Sequence, residues 1–338
     1  MSNYRPRVWV SQAYYADILQ PLNQHFDVIH PSRADNGICH RSVDIAAALA
    51  DVDGALVTAS ESIGAVEVEQ ARRLRVVSNV GVGYNHIDVN ALSEKGVYVT
   101  NTPGVLTETT ADLAFGLLLA TARRVAEGDR LIRAGQWNNL LSDMLWGQDV
   151  FGSTLGILGM GRIGQSIARR GSHGFQMDVI YHNRSQLPRS VEQAVRAQYV
   201  DFDSLLRRSD YLVLMLPYRP ENHHLIDAAA LAKMQPHACL INMARGGIVD
   251  ENALAQALAQ RRLAGAGLDV FEGEPQVNPV LMQCSSIVMT PHLGMATRRT
   301  HRAMVQQAVD NLIQQLQPGE WADQNPCVVN AELVNCEA

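Results

Sequence analysis

The chain has 338 residues, 47% of them hydrophobic and 18% charged, an ordinary globular mix with enough length for roughly two domains of about 150 residues each. Lys plus Arg number 28 against 34 Asp plus Glu, a net charge of -6, so no basic field exists to hold a nucleic-acid backbone or an anionic membrane. Cys39, Cys239, Cys284, Cys327 and Cys336 are widely spaced and form no CxxC pair. Neither a disulfide framework nor a structural metal site is indicated, and a reducing cytoplasm is the expected compartment.

The N-terminal segment offers only Val8, Trp9 and Val10 before polar Ser11 and Gln12, too little apolar chain for a secretory signal. Strands are predicted at Val8–Ser11, Asp27–His30, Gly54–Thr58, Arg75–Asn79 and Tyr98–Thr100, short β-branched runs separated by amphipathic stretches. One long helix is predicted from about Glu108 to Ala134, because the apolar run Leu113–Ala122 is followed by Arg123, Arg124, Glu127 and Arg130 at helical spacing. That run is well short of the ~20 residues a membrane span requires, and the uncharged stretch near Pro279 and Pro291 is broken by those prolines.

Six further strands are predicted at Thr154–Leu158, Asp178–Tyr181, Tyr211–Leu214, Cys239–Asn242, Gly267–Val270 and Ile287–Thr290, matching a dinucleotide-binding parallel sheet. A final helix, about Thr297–Gln315, is expected to pack back on the first domain and make it discontinuous. The fold class is therefore α/β, with two doubly wound parallel-sheet domains.

Gly159-Met160-Gly161-Arg162-Ile163-Gly164 follows the apolar run TLGIL and opens a predicted helix. Glycines at this spacing permit a tight turn, a close approach to a pyrophosphate, and tight packing of helix on strand, with the phosphate charge at the helix N-terminus. About twenty residues further on, an NAD-selecting site would place a carboxylate on the ribose 2'-hydroxyl. The sequence there is Tyr181-His182-Asn183-Arg184-Ser185, without one. Arg184 suits a 2'-phosphate, and such charged hydrogen bonds contribute about 1.5 to 3 kcal/mol. NADP(H) is the preferred cofactor on this reading. If Arg184 is only a solvated loop charge, NAD(H) serves as well.

Ligands of open parallel sheets bind beyond the carboxyl ends of the strands. Arg245 in NMARGGIVD, Glu274 in LDVFEGEP and His292 after SIVMTP all fall there. Together they suit reduction of a 2-keto acid. Arg245 would bind the substrate carboxylate or 2-oxygen with its planar fork. His292 would protonate the carbonyl oxygen as hydride arrives. Glu274 would hold the far ring nitrogen and favour the imidazolium. Singly each has a plain structural reading, and their joint placement in a sheet with a dinucleotide loop is what favours chemistry. His223, His224 and His86 have no acidic partner at ligand spacing and are not read as metal ligands. The run NVGVGYNHID at Asn79–Asp88 reads equally as a tight turn before a helix and as an amide nest for a carboxylate.

The motifs NVGVGYNHID, NTPGVLTETTAD, GSTLGILGMGRIG, NMARGGIVDE, GLDVFEGEP and TPHLGMAT occur in an order that resembles the D-isomer-specific 2-hydroxyacid dehydrogenase family over nearly the whole chain. Within it the chain looks most like the glyoxylate and hydroxypyruvate reductases, with 2-ketogluconate reductases close by, because HNRS is similar to their NADPH-selecting loop. The resemblance implies a Rossmann domain at 105–293 inserted into a flavodoxin-like substrate domain formed by 1–104 and 294–338. It implies Arg245, Glu274 and His292 as catalytic residues, and Val82 and Gly83 as amide donors to the substrate carboxylate. Asp269 would touch the nicotinamide carboxamide. Thr110, Arg162, Ile163, Leu216, Pro217 and Ala244 match cofactor-contact positions, beside Asn183, Arg184 and Ser185. A homodimer is implied, wrapped through the long helix and residues 135–150, with Trp137 or Trp146 reaching the partner. Met295 departs from the Ser usual after PHxG and makes the pocket wall more apolar, and Asn222 replaces a usual Thr. The family also holds dinucleotide-sensing corepressors and NAD-linked dehydrogenases of other substrates, including phosphite. Glu274 stands where the formate branch carries Gln.

Overall fold

In a computed structural model, the described residues are 4–30, 44–138, 145–317 and 325–334. They form two compact units, Met1–Val105 with Thr297–Ala338, and Leu106–Ala296.

The first unit contains β1 (Arg7–Val10), β2 (Asp27–Ile29), β3 (Gly54–Val57), β4 (Val76–Asn79) and β5 (Tyr98–Thr100). All pair in parallel in the order β2-β1-β3-β4-β5, the flavodoxin-like winding. Every residue of β3 and β4 is buried, as expected where helices cover both faces of a parallel sheet. The helix Arg298–Leu316 is one of those covers. It lies so close that a Cβ on Gly54 would sit 2.9 Å from Leu312 and Leu316, and Ser78 Oγ donates to the Ala308 carbonyl at 2.7 Å. The C-terminal helix thus belongs to the N-terminal sheet, and the second unit is an insertion.

That insertion carries β6 (Thr154–Leu158), β7 (Asp178–His182), β8 (Ala197–Tyr199), β9 (Tyr211–Leu214), β10 (Cys239–Asn242), β11 (Gly265–Leu268) and β12 (Ile287–Met289). The order is β12-β11-β10-β9-β6-β7-β8, a doubly wound sheet whose strand order reverses between β6 and β9. The sheet has seven strands and not the six expected. Ala197–Tyr199 was passed over because it is a three-residue edge strand, paired only to β7, without the apolar run that marks a buried strand. β11 begins two residues earlier than expected, in Gly265-Ala266-Gly267. These glycines have low strand propensity, but they face the helix Thr107–Ala122. A Cβ on Gly265 would lie 2.9 Å from Thr121, and one on Gly267 3.2 Å from Leu117.

The single long helix expected over 108–134 is two helices, Thr107–Ala122 and Val125–Arg133, broken at Arg124 in the left-handed region (φ 52°). The carbonyl of Ala122 accepts from Gln148 N at 2.9 Å, so a returning segment takes the hydrogen bond that would have continued the helix. No helix among the described residues is long and apolar enough to cross a membrane.

Candidate active site

The glycine loop lies between β6 and the helix Arg162–Arg169, which Gly161 caps. Its three glycines do different work. Gly159 has φ +104° and packs so that a Cβ would meet the Met215 carbonyl oxygen at 2.5 Å. Gly164 is buried, where a Cβ would lie 2.3 Å from the Gly159 oxygen, so helix and strand can touch. Gly161 faces open space, with nothing within 4 Å of a Cβ. An open glycine at the cap and free amides of the first helical turn fit a pyrophosphate. Arg162 is exposed and Ile163 half-buried on the sheet core. Leu216 and Pro217 follow β9, and Leu216 N is 2.8 Å from the Gly159 Cβ position. Asn222 closes that second loop, donating to Pro217 O at 2.8 Å.

At the end of β7, Asn183 Oδ1 accepts from Met160 N at 2.7 Å, which ties this strand end to the glycine loop. Tyr199 OH donates to Asn183 O, and Leu187 N donates to Tyr181 OH. Between these anchors Arg184 and Ser185 are exposed, and among the described residues Arg184 makes no ion pair. The residues that directly follow β7, Asn183 to Ser185, include no carboxylate; the Glu192 carboxylate accepts from Tyr181 OH and Gln186 Nε2. Asp178 is at the other end of β7.

The three residues at the strand ends come together. His292 Nδ1 lies 2.7 Å from Glu274 Oε2, and the other Glu274 oxygen accepts from Phe271 N at 2.8 Å. Burial alone would raise the Glu274 carboxyl. The hydrogen bonds from His292 and Phe271, with the charges of His292 and Arg245, outweigh it and hold the group below the ordinary carboxylate range. Burial weakens the Arg245 guanidinium while the charge of Glu274 favours it. Arg245 Nη1 donates to Ala244 O at 2.7 Å, and the Arg245 carbonyl accepts from buried Asn242 at 3.0 Å. Gly246 explains how the two loops come so close. A Cβ there would fall 1.8 Å from the Phe271 carbonyl carbon and 2.1 Å from Glu272 N, so only glycine lets the Arg245 turn lie against the loop carrying Glu274. Sequence reading overlooked this position, although the GG dipeptide after Arg245 marked it.

Asp269 is 2% exposed, and its carboxylate accepts three hydrogen bonds. Oδ1 accepts from Thr290 Oγ1 at 2.6 Å and Leu293 N at 2.7 Å, and Oδ2 accepts from Gly294 N at 2.8 Å. Its carbonyl also accepts from His292 N at 2.9 Å. His292 itself adopts φ 54°, an unusual state for a non-glycine residue, and this set of bonds around Asp269 holds it there. Thr110 borders the same turn, 3.5 Å from the Gly294 Cβ position, and Met295 beside it is half-buried.

Val82 and Gly83 lie in the first unit, after β4. Asn79 Nδ2 donates to the carbonyls of Gly81 and Gly83, and Asn101 Nδ2 to that of Val82. The carbonyls are thereby turned inward. Among the described residues the amides of Val82 and Gly83 donate to nothing, the state an anion nest requires. Trp137 and Trp146 are 57% and 75% exposed, and residues 139–144 of the proposed dimer arm lie outside the described residues, as do Cys39 and Cys336. Cys239, Cys284 and Cys327 are free thiols. The expectation that His223 and His224 lack an acidic neighbour is overturned: Glu272 Oε2 lies 2.9 Å from His224 Nε2. Forty-eight residues separate the two in sequence, beyond any local spacing rule.

The sheet order, the glycine loop and a carboxylate-backed imidazole beside a guanidinium define a dinucleotide-dependent oxidoreductase. A family model for the D-isomer specific 2-hydroxyacid dehydrogenase NAD binding domain matches residues 115–294. Glyoxylate reductase of Pyrococcus horikoshii is 44% identical over 84% of each chain. Glyoxylate/hydroxypyruvate reductase B of Shigella boydii is 41% identical over 93% of this chain and 95% of its own length. The NADPH-dependent glyoxylate/hydroxypyruvate reductase of Sinorhizobium meliloti, solved with NADP and malonate, superposes with a TM-score of 0.82 at 33% identity, covering 97% of this chain and 98% of that one. The chain belongs to the D-isomer-specific 2-hydroxyacid dehydrogenase family, and it is an enzyme that uses a nicotinamide dinucleotide.

Proposed function

We propose that this enzyme reduces small 2-keto acids, glyoxylate and hydroxypyruvate foremost and 2-ketogluconate as a further substrate, to the D-2-hydroxy acid with NADPH as reductant. The observation that carries the reading is the 2.7 Å pairing of Glu274 with His292 Nδ1. It leaves Nε2 as the ring nitrogen available to the substrate. The reduced nicotinamide supplies the hydride. His292 Nε2 gives the proton to the carbonyl oxygen as charge develops on it, and Glu274 steadies the ring and its positive charge. Arg245 binds the substrate carboxylate or the 2-oxygen, and the Val82 and Gly83 amides take the carboxylate. Asp269, Thr110 and Ala244 shape the nicotinamide end, and Gly159, Gly161, Arg162, Ile163 and Gly164 hold the pyrophosphate.

Arg184 and Ser185, exposed directly after β7 where the chain carries no carboxylate, support the preference for NADPH. The names of the relatives support the substrate class. The test is nicotinamide absorbance with purified protein, NADPH and each keto acid in turn. Turnover with glyoxylate and hydroxypyruvate is expected, and turnover with none of the three would refute the proposal.

A homodimer also fits, because Ile132, Trp137, Trp146 and Phe151 are all more than half exposed and a partner surface would cover them. Light scattering should return twice the 37.1 kDa chain mass. A monomer at micromolar concentration would exclude it.

A further inference from the structure

We propose that His223, His224 and Glu272 form a binding site for a divalent transition-metal ion of the zinc, cobalt or nickel type. Each residue presents one ligand atom, and the three atoms all lie within 4.8 Å of one another. His224 Nε2 is 2.9 Å from Glu272 Oε2, and His223 Nε2 is 3.8 Å from Glu272 Oε1. Ligand atoms held at about 2.0 to 2.1 Å in a tetrahedron stand about 3.4 Å apart. The two separations from Glu272 bracket that figure and the third lies within 4.8 Å, so side-chain rotation without backbone movement would bring the three atoms round one ion.

Adjacent side chains usually diverge, but here the two imidazoles stack with centroids 3.8 Å apart and planes 22° from parallel. His224 sits at φ 51°, and its N–H donates to Gly247 O at 2.8 Å, which holds the residue in a state that non-glycine residues seldom adopt. Tyr218 OH lies 3.3 Å from His223 Nδ1. A hydrogen bond at the far ring nitrogen is the usual outer partner of a metal-bound histidine, and with the Tyr218 oxygen accepting from Nδ1–H the Nε2 atom is free to ligate. Glu272 is anchored through its backbone N–H, which donates at 2.8 Å to Glu251 Oε1, and Glu251 is 5% exposed.

Two imidazoles and one carboxylate select borderline transition ions over magnesium or calcium, which require more oxygen ligands. A fourth position is left to water. All three side chains are between a third and a half exposed, so an ion can enter. An ion held there would also brace the loop that carries Glu274, two residues beyond Glu272.

The test is titration of chelator-treated, desalted protein with Co2+ alone. One equivalent should bind, with the visible absorption of a four-coordinate ion, and added Zn2+ should abolish that absorption. His223→Gln, His224→Asn and Glu272→Gln should each weaken Co2+ binding at least about tenfold. Asn is chosen at 224 because it tolerates the left-handed backbone. Circular dichroism and turnover with NADPH check that each variant is folded, and any one folded variant suffices for the comparison. Absence of saturable binding overturns the proposal, as does binding undiminished in every folded variant. The titration needs no substrate, so it stands apart from the assignment of the reaction.

Discussion

Replacing Asp269 with Asn tests how the loop bearing His292 is held. The native carboxylate accepts three hydrogen bonds, from Thr290 Oγ1, Leu293 N and Gly294 N, in a position 2% exposed. The asparagine oxygen can keep the Thr290 and Leu293 bonds, but the new NH2 group then faces the Gly294 N–H, donor against donor. One buried donor left without a partner costs about 1 to 3 kcal/mol, and the surviving bonds lose the charge that made them roughly twice as strong. The sum is about 2 to 4 kcal/mol. At about 2 to 4 °C per kcal/mol for a unit of this size, Tm should fall by roughly 4 to 16 °C. Because the disturbed bonds come from Leu293 N and Gly294 N, directly after His292, the imidazole loses its aim, and a misplacement near 1 Å lowers kcat about 100-fold. Thermal unfolding and steady-state kinetics at saturating NADPH read the two effects. A variant whose Tm stays within a degree of wild type and whose only defect is weaker cofactor binding would refute the argument. Asp269 would then serve the nicotinamide alone.

His292→Ala should lower kcat by about 10² to 10⁴ while the Kd for NADPH, read by fluorescence quenching, changes less than about threefold. Equal losses in both would remove the proton-donor role. Arg184→Glu should raise the KM for NADPH by roughly tenfold to a hundredfold, the equivalent of about 1.5 to 3 kcal/mol for a charge-assisted bond, and leave that for NADH unchanged. A parallel rise for both cofactors would show that Arg184 does not read the 2'-phosphate. Glu108, held by Arg169 first and then by Ser166 and Arg170, has its carboxyl pushed down to about 2 despite some burial. Such a group stabilises the fold fully above its unfolded value near ~4.3 and loses that contribution as pH falls toward 2. Glu108→Gln should therefore cost under about 1 kcal/mol at pH 7, since the pair is mostly exposed, and progressively less as pH drops below 4. Urea midpoints at pH 7 and pH 3 that differ from wild type by the same amount would contradict it.

Much of this protein can be read along the chain. β3, β4, β6, β9 and β10 are four or five residues long and almost wholly buried, and a strand covered on both faces must be continuously apolar, which is a local signal. The glycine loop is equally local, since turn, cap and helix packing involve residues within one short segment. The pairing of Glu274 with His292 could be anticipated because parallel strands deliver their carboxyl ends to one edge. β8 escaped because an edge strand need not be apolar on both faces. The helix break at Arg124 escaped because its cause, the Gln148 amide on the Ala122 carbonyl, lies outside the helix.

The sequence alone marked most strands of both parallel sheets, the glycine loop and the residues proposed for catalysis, because each is signalled by apolar runs, turn residues or side-chain chemistry within a few neighbouring residues. The tertiary structure decided the contacts on which fine geometry depends: Gly246 against Phe271, Asp269 around the His292 turn, and Glu272 beside His223 and His224. Those contacts join segments far apart in the chain, where no periodicity or spacing links one residue to the other and only close packing brings them within bonding distance.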